Sequence, residues 1–490
     1  MKDKPLCNCG IFGIIGSKNS AINTYYGLHA LQHRGQEAAG IVSSQKNQKG
    51  KVQFNVHKSF GHVSEVFNSQ DLFETKLLGE AAIGHNRYST TGSADSVKNI
   101  QPFVVTYRMG NLAVAHNGNL TNAKELRNYL VNEGAIFQTT SDTEVLLHLI
   151  ARSKLKDQTQ QIIEALNKIK GAFSLVILTD NKLFAARDIL GFRPLCIGTL
   201  NGSYIVASET CALDINSANY LRDVNPGELV VIEKGINSTE EISSYKLENS
   251  NNQIKQCIFE YIYFSRPDSR IFGSNVDKIR RKLGKVLAEN HPVHDKDDEK
   301  VIVISVPDSS NTAAIGFQSQ LTKQGIPSRL EIGLIRSHYI GRTFITPNQK
   351  AREIGVKIKF NTVKGVLENK TIVLIDDSIV RGTTSKQLVR LLREANPKEI
   401  HLRISSPPII SPCYFGMDFP SKDELIAHKL DGDISRIKDY LDVDSLEYLT
   451  INEMLSAMID HLQDHFCTAC FSGNYPIPVN VGITKEIYEN

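Results

Sequence analysis

The sequence predicts two joined units of different class: an α+β layered unit over residues 9–245 and an α/β unit with a parallel sheet over 257–490. Three observations carry this. Before about residue 240, short apolar runs such as 171–178 and 204–208 alternate with turns such as Asn117-Gly118-Asn119 and Pro226-Gly227. Beyond Cys257, the strand-like runs 301–306, 371–375 and 401–404 are separated by helical segments at 312–324 and 385–394, the order of βαβ crossovers. Between the two lies a polar stretch, 234–255, rich in Ser, Asn, Glu and Lys, which reads as a surface linker.

Size and charge bound the function. A chain of 490 residues with 41% hydrophobic content buries a sizeable core in two or more domains. Its 56 basic and 53 acidic residues are interspersed to a net charge of +3, without the basic stripe of a nucleic-acid binder. The apolar runs fall far short of the roughly 20 residues that cross a bilayer. No targeting segment is evident, so the cytoplasm is the expected compartment. There the eight cysteines are expected to be metal ligands, catalytic groups or packing rather than disulfides.

In chain order, Cys7-Asn8-Cys9-Gly10 leads into a strand-length apolar run, 11–15. Helical periods follow at 21–32 and 141–152, the second with Ser141 and Asp142 as caps and Glu144 in its first turn. Cys196 and Cys211 sit in strand-like apolar surroundings and read as packing. The richest segment is TIVLIDDSIVRGTTSKQLVRLL, 371–392. A buried strand runs into Asp376 and Asp377. A turn containing Ser378, Arg381, Gly382, Thr383, Thr384 and Ser385 then opens a helix. Backbone N–H groups at a helix start, with three hydroxyls beside them, cradle a phosphate, and Gly382 lets the main chain approach closely. The carboxylate pair suits ribose hydroxyls or Mg²⁺. Sugar at one end and phosphate at the other is the shape of a phosphorylated pentose. No Walker A string and no Gly-x-Gly-x-x-Gly is present.

This segment resembles the signature of type I phosphoribosyltransferases, which use 5-phosphoribosyl 1-diphosphate. The resemblance implies that the loop Val306-Pro307-Asp308-Ser309-Ser310 faces the diphosphate, with Ser309 at Mg²⁺. By itself, a serine after Pro-Asp is also an ordinary helix cap. Cys9-Gly-Ile-Phe-Gly13 in turn resembles the start of the glutamine amidotransferases with an N-terminal nucleophile (Ntn), whose fold is a layered αββα sandwich. A thiol of pKa about 8.5 beside an α-amine of about 7.7–8.0 carries its own base, provided the chain begins at that cysteine. Residues 1–8 would then be a propeptide; Asn8 replaces the glutamate usual before the nucleophile, and Cys7 lacks the Gly-Ile-Phe-Gly sequel. Four further stretches match this family: Gln32-His33-Arg34-Gly35-Gln36-Glu37 near the nucleophile, and His85-Asn86-Arg87-Tyr88 with Arg87 on the glutamine carboxylate. His116-Asn117-Gly118-Asn119 matches the oxyanion hole, from the Asn117 amide and the Gly118 N–H. Ser141-Asp142-Thr143-Glu144 places Asp142 on the substrate ammonium.

The two halves together resemble the amidophosphoribosyltransferase family over 9–476. That implies hydrolysis of glutamine at Cys9 and passage of ammonia to C1 of 5-phosphoribosyl 1-diphosphate, giving 5-phosphoribosylamine, diphosphate and glutamate. It also implies a homotetramer inhibited by purine nucleotides. The segment 339–344 resembles a lid over the acceptor site, with Arg336-Ser337-His338 where the family reads Lys-Asn-Arg. Cys467-Thr-Ala-Cys470 has the spacing of a metal knuckle. By spacing alone, zinc, two disulfides or buried thiols are open for it together with Cys257 and Cys413. The resemblance implies one 4Fe–4S cluster on Cys257, Cys413, Cys467 and Cys470, as in the family's propeptide-bearing subset. Alternatives to the whole reading are a phosphoribosyl-diphosphate sensor and an Ntn amidotransferase serving another acceptor.

Overall fold

The strand Gly10–Ile15 shows how the first unit is built. Its side chains alternate: Ile11 and Ile15 join one buried cluster, Phe12 and Ile14 another. A strand buried on both faces needs a layer on each side. The computed structural model, which describes residues 9–88, 96–234, 240–248, 250, 253–337, 359–417, 419, 421–458 and 462–479, supplies them. Gly10–Ile15 is central in a seven-stranded sheet, between Ser203–Ala207 and Ala81–Arg87. A six-stranded sheet that includes Gly110–Leu120, Gly171–Thr179 and Lys182–Arg187 stacks on it through Ile11, Ile15, Ala113, Ala115 and Val176. The sheets approach closely at Gly13, where a Cβ would stand 2.6 Å from a Val176 methyl. Helix Ser20–Ala30 covers the outer face of the first sheet, with Gly27 over the Phe12 ring. Helices Ala123–Asn132, Thr143–Arg152 and Gln158–Lys168 cover the outer face of the second. The order is αββα.

One expectation is corrected. The stretch 234–255 is not simply a linker: Glu240–Lys246 forms a strand paired along its length with Glu228–Lys234. It is an edge strand, largely exposed, so its polar composition conceals its pairing.

In the second unit five strands lie parallel in the order Ser328–Leu330, Val301–Ser305, Thr371–Asp376, Glu399–Ile404, Ser445–Tyr448. The central strand Thr371–Asp376 is buried throughout. Val373 and Ile375 face helices Val276–Asn290 and Asn311–Lys323; Ile372 and Leu374 face Thr383–Arg393 and Ile434–Leu441. Gly284 and Gly316 let the first two helices cross backbone to backbone, since a Cβ would stand 1.9 Å from the Ala313 oxygen and 2.0 Å from the Arg281 oxygen respectively. A short parallel pair, Gln256–Cys257 beside Phe466–Cys467, ties the segment entering the second unit to that unit's own C-terminal part. Among the described residues no helix is long and apolar enough to cross a membrane.

Candidate active sites

Sheet register assembles the first site. Gly10 pairs antiparallel with Asn86, which brings Cys9 alongside Arg87 at the end of the strand Ala81–Arg87. The Cys9 thiol donates to the Tyr88 carbonyl at 3.5 Å. Burial pushes this thiol up to about 11, against the pull of the Tyr88 contact and the Arg87 charge, with Glu37 and Asp142 adding to the rise. Arg87 and Asp142 thus both act on Cys9, with opposite sign. Burial lowers the Arg87 guanidinium from its ordinary value, and the Glu37 and Cys9 charges oppose the fall. Gly35 presses on the main chain of Asn86 and Arg87, where a Cβ would stand 2.7 Å from the Asn86 carbonyl, so only glycine fits.

Asn117 and Gly118 lie in the strand Gly110–Leu120. Both amide atoms of Asn117 are buried without a hydrogen-bond partner among the described residues. Gly118 has φ +150°, and a Cβ would stand 2.0 Å from the Ala172 oxygen. Asp142 corrects the sequence reading: it precedes the helix Thr143–Arg152 but does not cap it. Its Oδ2 accepts from the Leu120 N–H at 2.9 Å, and its Oδ1 from the Thr143 hydroxyl at 3.2 Å. The helical φ and ψ of Asp142 turn the carboxylate from the helix start toward the strand. Residues 1–8, with Cys7 and Asn8, lie outside the described residues.

The second site sits at the carboxyl end of the parallel sheet, where such sheets bind ligands. Asp376 and Asp377 are buried, and the two serines of the neighbouring loop turn toward them. Ser309 donates to Asp377 Oδ2, and Ser310 to Asp376 Oδ1 at 3.1 Å. Ser309 is therefore not a helix cap but a partner of the acidic pair. Ser378 donates to Asp377 Oδ1 at 2.7 Å. Gly382, at φ +76°, is the residue before helix Thr383–Arg393, so Thr383, Thr384 and Ser385 form its first turn. Arg381 is tied to Glu424 at 2.6 Å and Arg336 to Asp308 at 3.3 Å. His338 and the lid segment 339–344 lie outside the described residues.

Two adjacent carboxylates fit Mg²⁺, which seldom takes an all-protein cage and completes its shell with phosphate oxygens and water. Among the described residues no group of three His, Cys, Asp or Glu is arranged to hold a metal ion. The four predicted cysteines nevertheless converge. Cys257 and Cys467 are register partners, and the Cys470 carbonyl accepts from Ile410 and Ser411, just before Cys413. Burial raises the Cys470 thiol, and the charges of Cys413, Cys257 and Cys467 raise it further. All four are free thiols. A lone zinc would draw four sulfurs to about 2.3 Å from one centre; a four-iron cluster is held from its corners by four thiolates and suits a wider set.

Sequence reading misses a buried ion cluster beside Cys9, formed by Arg34, Glu209, Glu260 and Arg193. The available signal is a glutamate inside the apolar run Cys257-Ile-Phe-Glu-Tyr-Ile-Tyr-Phe264, since a charge in such a run requires a partner.

Fold and sites together define a glutamine amidotransferase joined to a phosphoribosyltransferase. Residues 85–214 match the glutamine amidotransferase domain family. The chain is 48% identical to a chloroplastic amidophosphoribosyltransferase of Vigna aconitifolia, over 99% of this chain and 95% of the relative. It is 45% identical to the amidophosphoribosyltransferase of Bacillus subtilis, over 96% and 94%. The solved glutamine phosphoribosylpyrophosphate amidotransferase from B. subtilis, in complex with ADP and GMP, superposes with a TM-score of 0.86 at 44% identity, covering 97% of this chain and 99% of that one. A structure described as the allosteric regulatory enzyme of purine biosynthesis gives 0.86 at 43% identity, covering 97% of each. The chain belongs to the amidophosphoribosyltransferase family. Its reaction converts glutamine, water and 5-phosphoribosyl 1-diphosphate to 5-phosphoribosylamine, diphosphate and glutamate, in purine biosynthesis. The sensor reading and the reading with another acceptor fall with this result.

Proposed function

We propose that Cys9 is the nucleophile and that glutamine lies across it, carboxylate on Arg87 and ammonium on Asp142. The observation that carries this is the register of Gly10 with Asn86, which sets Cys9 beside Arg87, while Asp142 is fixed on the Leu120 N–H of the strand that holds Asn117 and Gly118; these are the two charges a zwitterionic amino acid needs. Removal of residues 1–8 frees the α-amine of Cys9. That amine takes the thiol proton, sulfur attacks the side-chain amide carbon, and the tetrahedral oxyanion is met by the Asn117 amide and the Gly118 N–H. Collapse to the thioester expels ammonia, which carries the proton away, and water then releases glutamate. The contact of Gly416 with Gly118 brings the second unit against the oxyanion turn, so ammonia released there leaves next to the unit that consumes it.

There Asp376, Asp377 and Ser309 would hold Mg²⁺, which supplies charge neutralisation for the departing diphosphate. Gly382 and the helix start with Thr383, Thr384 and Ser385 take the 5-phosphate, while Ser378 and Arg381 complete the loop. Cys257, Cys413, Cys467 and Cys470 would hold a 4Fe–4S cluster that pins the C-terminal segment to both units. The pairing of Cys257 with Cys467, and the bonds from the segment before Cys413 to the Cys470 carbonyl, support one shared site, and the choice of a cluster over zinc rests on the family resemblance. The likeness to an enzyme solved with ADP and GMP supports purine nucleotides as feedback inhibitors. The cytoplasm is proposed as the compartment, where a reducing pool keeps cluster thiolates from pairing as disulfides. A homotetramer is proposed from the family resemblance, and light scattering tests it.

The test of the catalytic reading is glutamate release by protein whose terminus is read by intact mass, with and without 5-phosphoribosyl 1-diphosphate and Mg²⁺. Stimulation by the diphosphate and loss in Cys9→Ala support the assignment; release that survives Cys9→Ala overturns it. Iron and acid-labile sulfide in anaerobically purified protein support the cluster, and stoichiometric zinc overturns it.

A further inference from the structure

Glu260 is fully buried, and its carboxylate is shared by two arginines from the other unit. Oε1 accepts from Arg34 Nη2 at 2.7 Å and from Arg193 Nη1 at 3.2 Å. Oε2 accepts from Arg34 Nη1 at 3.0 Å and from the Ser265 hydroxyl at 2.7 Å. Each arginine continues toward the glutamine site. Arg34 Nε donates to the Cys9 carbonyl at 3.2 Å. Arg193 donates twice to the Phe415 carbonyl, from Nε at 3.1 Å and Nη2 at 2.6 Å.

Phe415 is followed by Gly416, which lies against Gly118 so closely that a Cβ would stand 2.8 Å from the Gly118 carbonyl carbon. Asn119 Nδ2 donates to the neighbouring Tyr414 carbonyl at 2.9 Å. One carboxylate therefore holds, through two rigid guanidinium forks, the main chain of the nucleophile and the loop that backs the oxyanion turn. Glu209 completes the cluster, accepting from Arg34 and His33, so two buried cations face two buried anions. Burial works against the Glu260 charge, but Arg34 and Arg193 keep its carboxyl below the ordinary glutamate value.

We propose that Glu260 is a positioning residue for glutamine hydrolysis, setting the spacing between the Cys9 main chain and the Gly118 turn through Arg34 and Arg193. The proposal rests on the reading of Cys9 as nucleophile and Gly118 as oxyanion donor. Reaching both groups with fixed geometry requires a fork that donates to a carboxylate and a carbonyl at once, which arginine provides and lysine does not. Misplacement of reacting groups by about 1 Å costs on the order of 100-fold in rate.

The test uses the processed, full-length enzyme and two nitrogen sources. With glutamine, Glu260→Gln is expected to lower kcat about 10- to 100-fold with KM for glutamine within about threefold, because the Arg87 and Asp142 contacts are untouched. With ammonia supplied from solution, synthesis of phosphoribosylamine bypasses Cys9 and is expected to stay within about twofold of the unsubstituted enzyme. Arg34→Lys keeps the charge and gives the same split should Glu260→Gln fail to fold, and Glu260→Asp, which keeps the carboxylate, recovers part of kcat. Parallel loss of glutamine- and ammonia-dependent rates in the folded variants would show a purely structural role and overturn the proposal, as would unchanged glutamine-dependent kcat. Persistence of glutamine hydrolysis in Cys9→Ala would instead refute the nucleophile assignment beneath it.

Discussion

Asn117 separates catalysis from stability. Its side-chain nitrogen and oxygen are both buried and lack a hydrogen-bond partner among the described residues, whereas the neighbouring His116 and Asn119 side chains are bonded. Leaving a buried polar group unpaired costs about 1–3 kcal/mol of desolvation. Asn117→Leu replaces the amide with an apolar group of similar size, so the folded state is expected to gain on the order of 1 kcal/mol. The same change removes the proposed oxyanion donor, for which the expected loss is about 10²–10³ in kcat, or roughly 3–4 kcal/mol of transition-state stabilisation. Stability and activity therefore move in opposite directions, unlike the usual core substitution. The assay pairs steady-state glutamate release with urea unfolding followed at both units. The reasoning is refuted if kcat survives, or if the variant unfolds more easily by about 2 kcal/mol or more, the signature of a lost structural hydrogen bond.

Three further outcomes follow from the sites. Before processing, the Cys9 thiol held at about 11 is only about one part in a thousand ionised at pH 8, so iodoacetamide should label unprocessed chain far more slowly than processed chain, with a rate that climbs beyond pH 10. The sign for stability is fixed as well: the native state keeps a proton that the unfolded chain loses above about pH 8.5, so this group's contribution falls as pH rises from there toward 11 and is constant below. Gly382→Ala forces a Cβ to 2.4 Å from the Ile426 methyl at φ +76°, so it should cost about 1–2 kcal/mol and raise KM for phosphoribosyl diphosphate at least 10-fold, leaving basal glutamine hydrolysis intact. An unchanged KM would remove Gly382 from the phosphate cradle.

The legibility of this chain follows the range of the interactions involved. The buried strand Thr371–Asp376, its acidic end and the glycine before the next helix are contiguous, so one 22-residue string exposes both the crossover fold and its phosphate site. Cys9, Arg87, Asn117 and Asp142 are distant in sequence, and physics alone does not join them; matched motifs bring them together on paper, and antiparallel register brings Cys9 to Arg87 in space. Asp142 shows the limit of local rules: at a helix start it reads as a cap, yet its bond to the Leu120 N–H, 22 residues away, fixes its direction. The edge strand Glu240–Lys246 is polar because one side meets water, so composition alone makes it a linker.

Arg34 and Glu260 stand 226 positions apart, so although Glu260 is conspicuous in its apolar run, no local pattern names its partner. Its energetic status also explains why stability arguments would overlook it. Burying Arg34, Arg193, Glu209 and Glu260 removes four charges from water, and such clusters are often no more stable than well-packed apolar residues of the same volume. What hydrocarbon lacks is direction. A packed leucine tolerates sliding over several tenths of an ångström, whereas a guanidinium with its donors committed to a carboxylate and a carbonyl defines one position for both. With the proposed nucleophile in one unit, and the proposed oxyanion turn backed by a loop of the other, placement is what the junction has to supply. Glu260 lies at the point where the Cys9 main chain, the Phe415 loop and the segment leading to the parallel sheet meet.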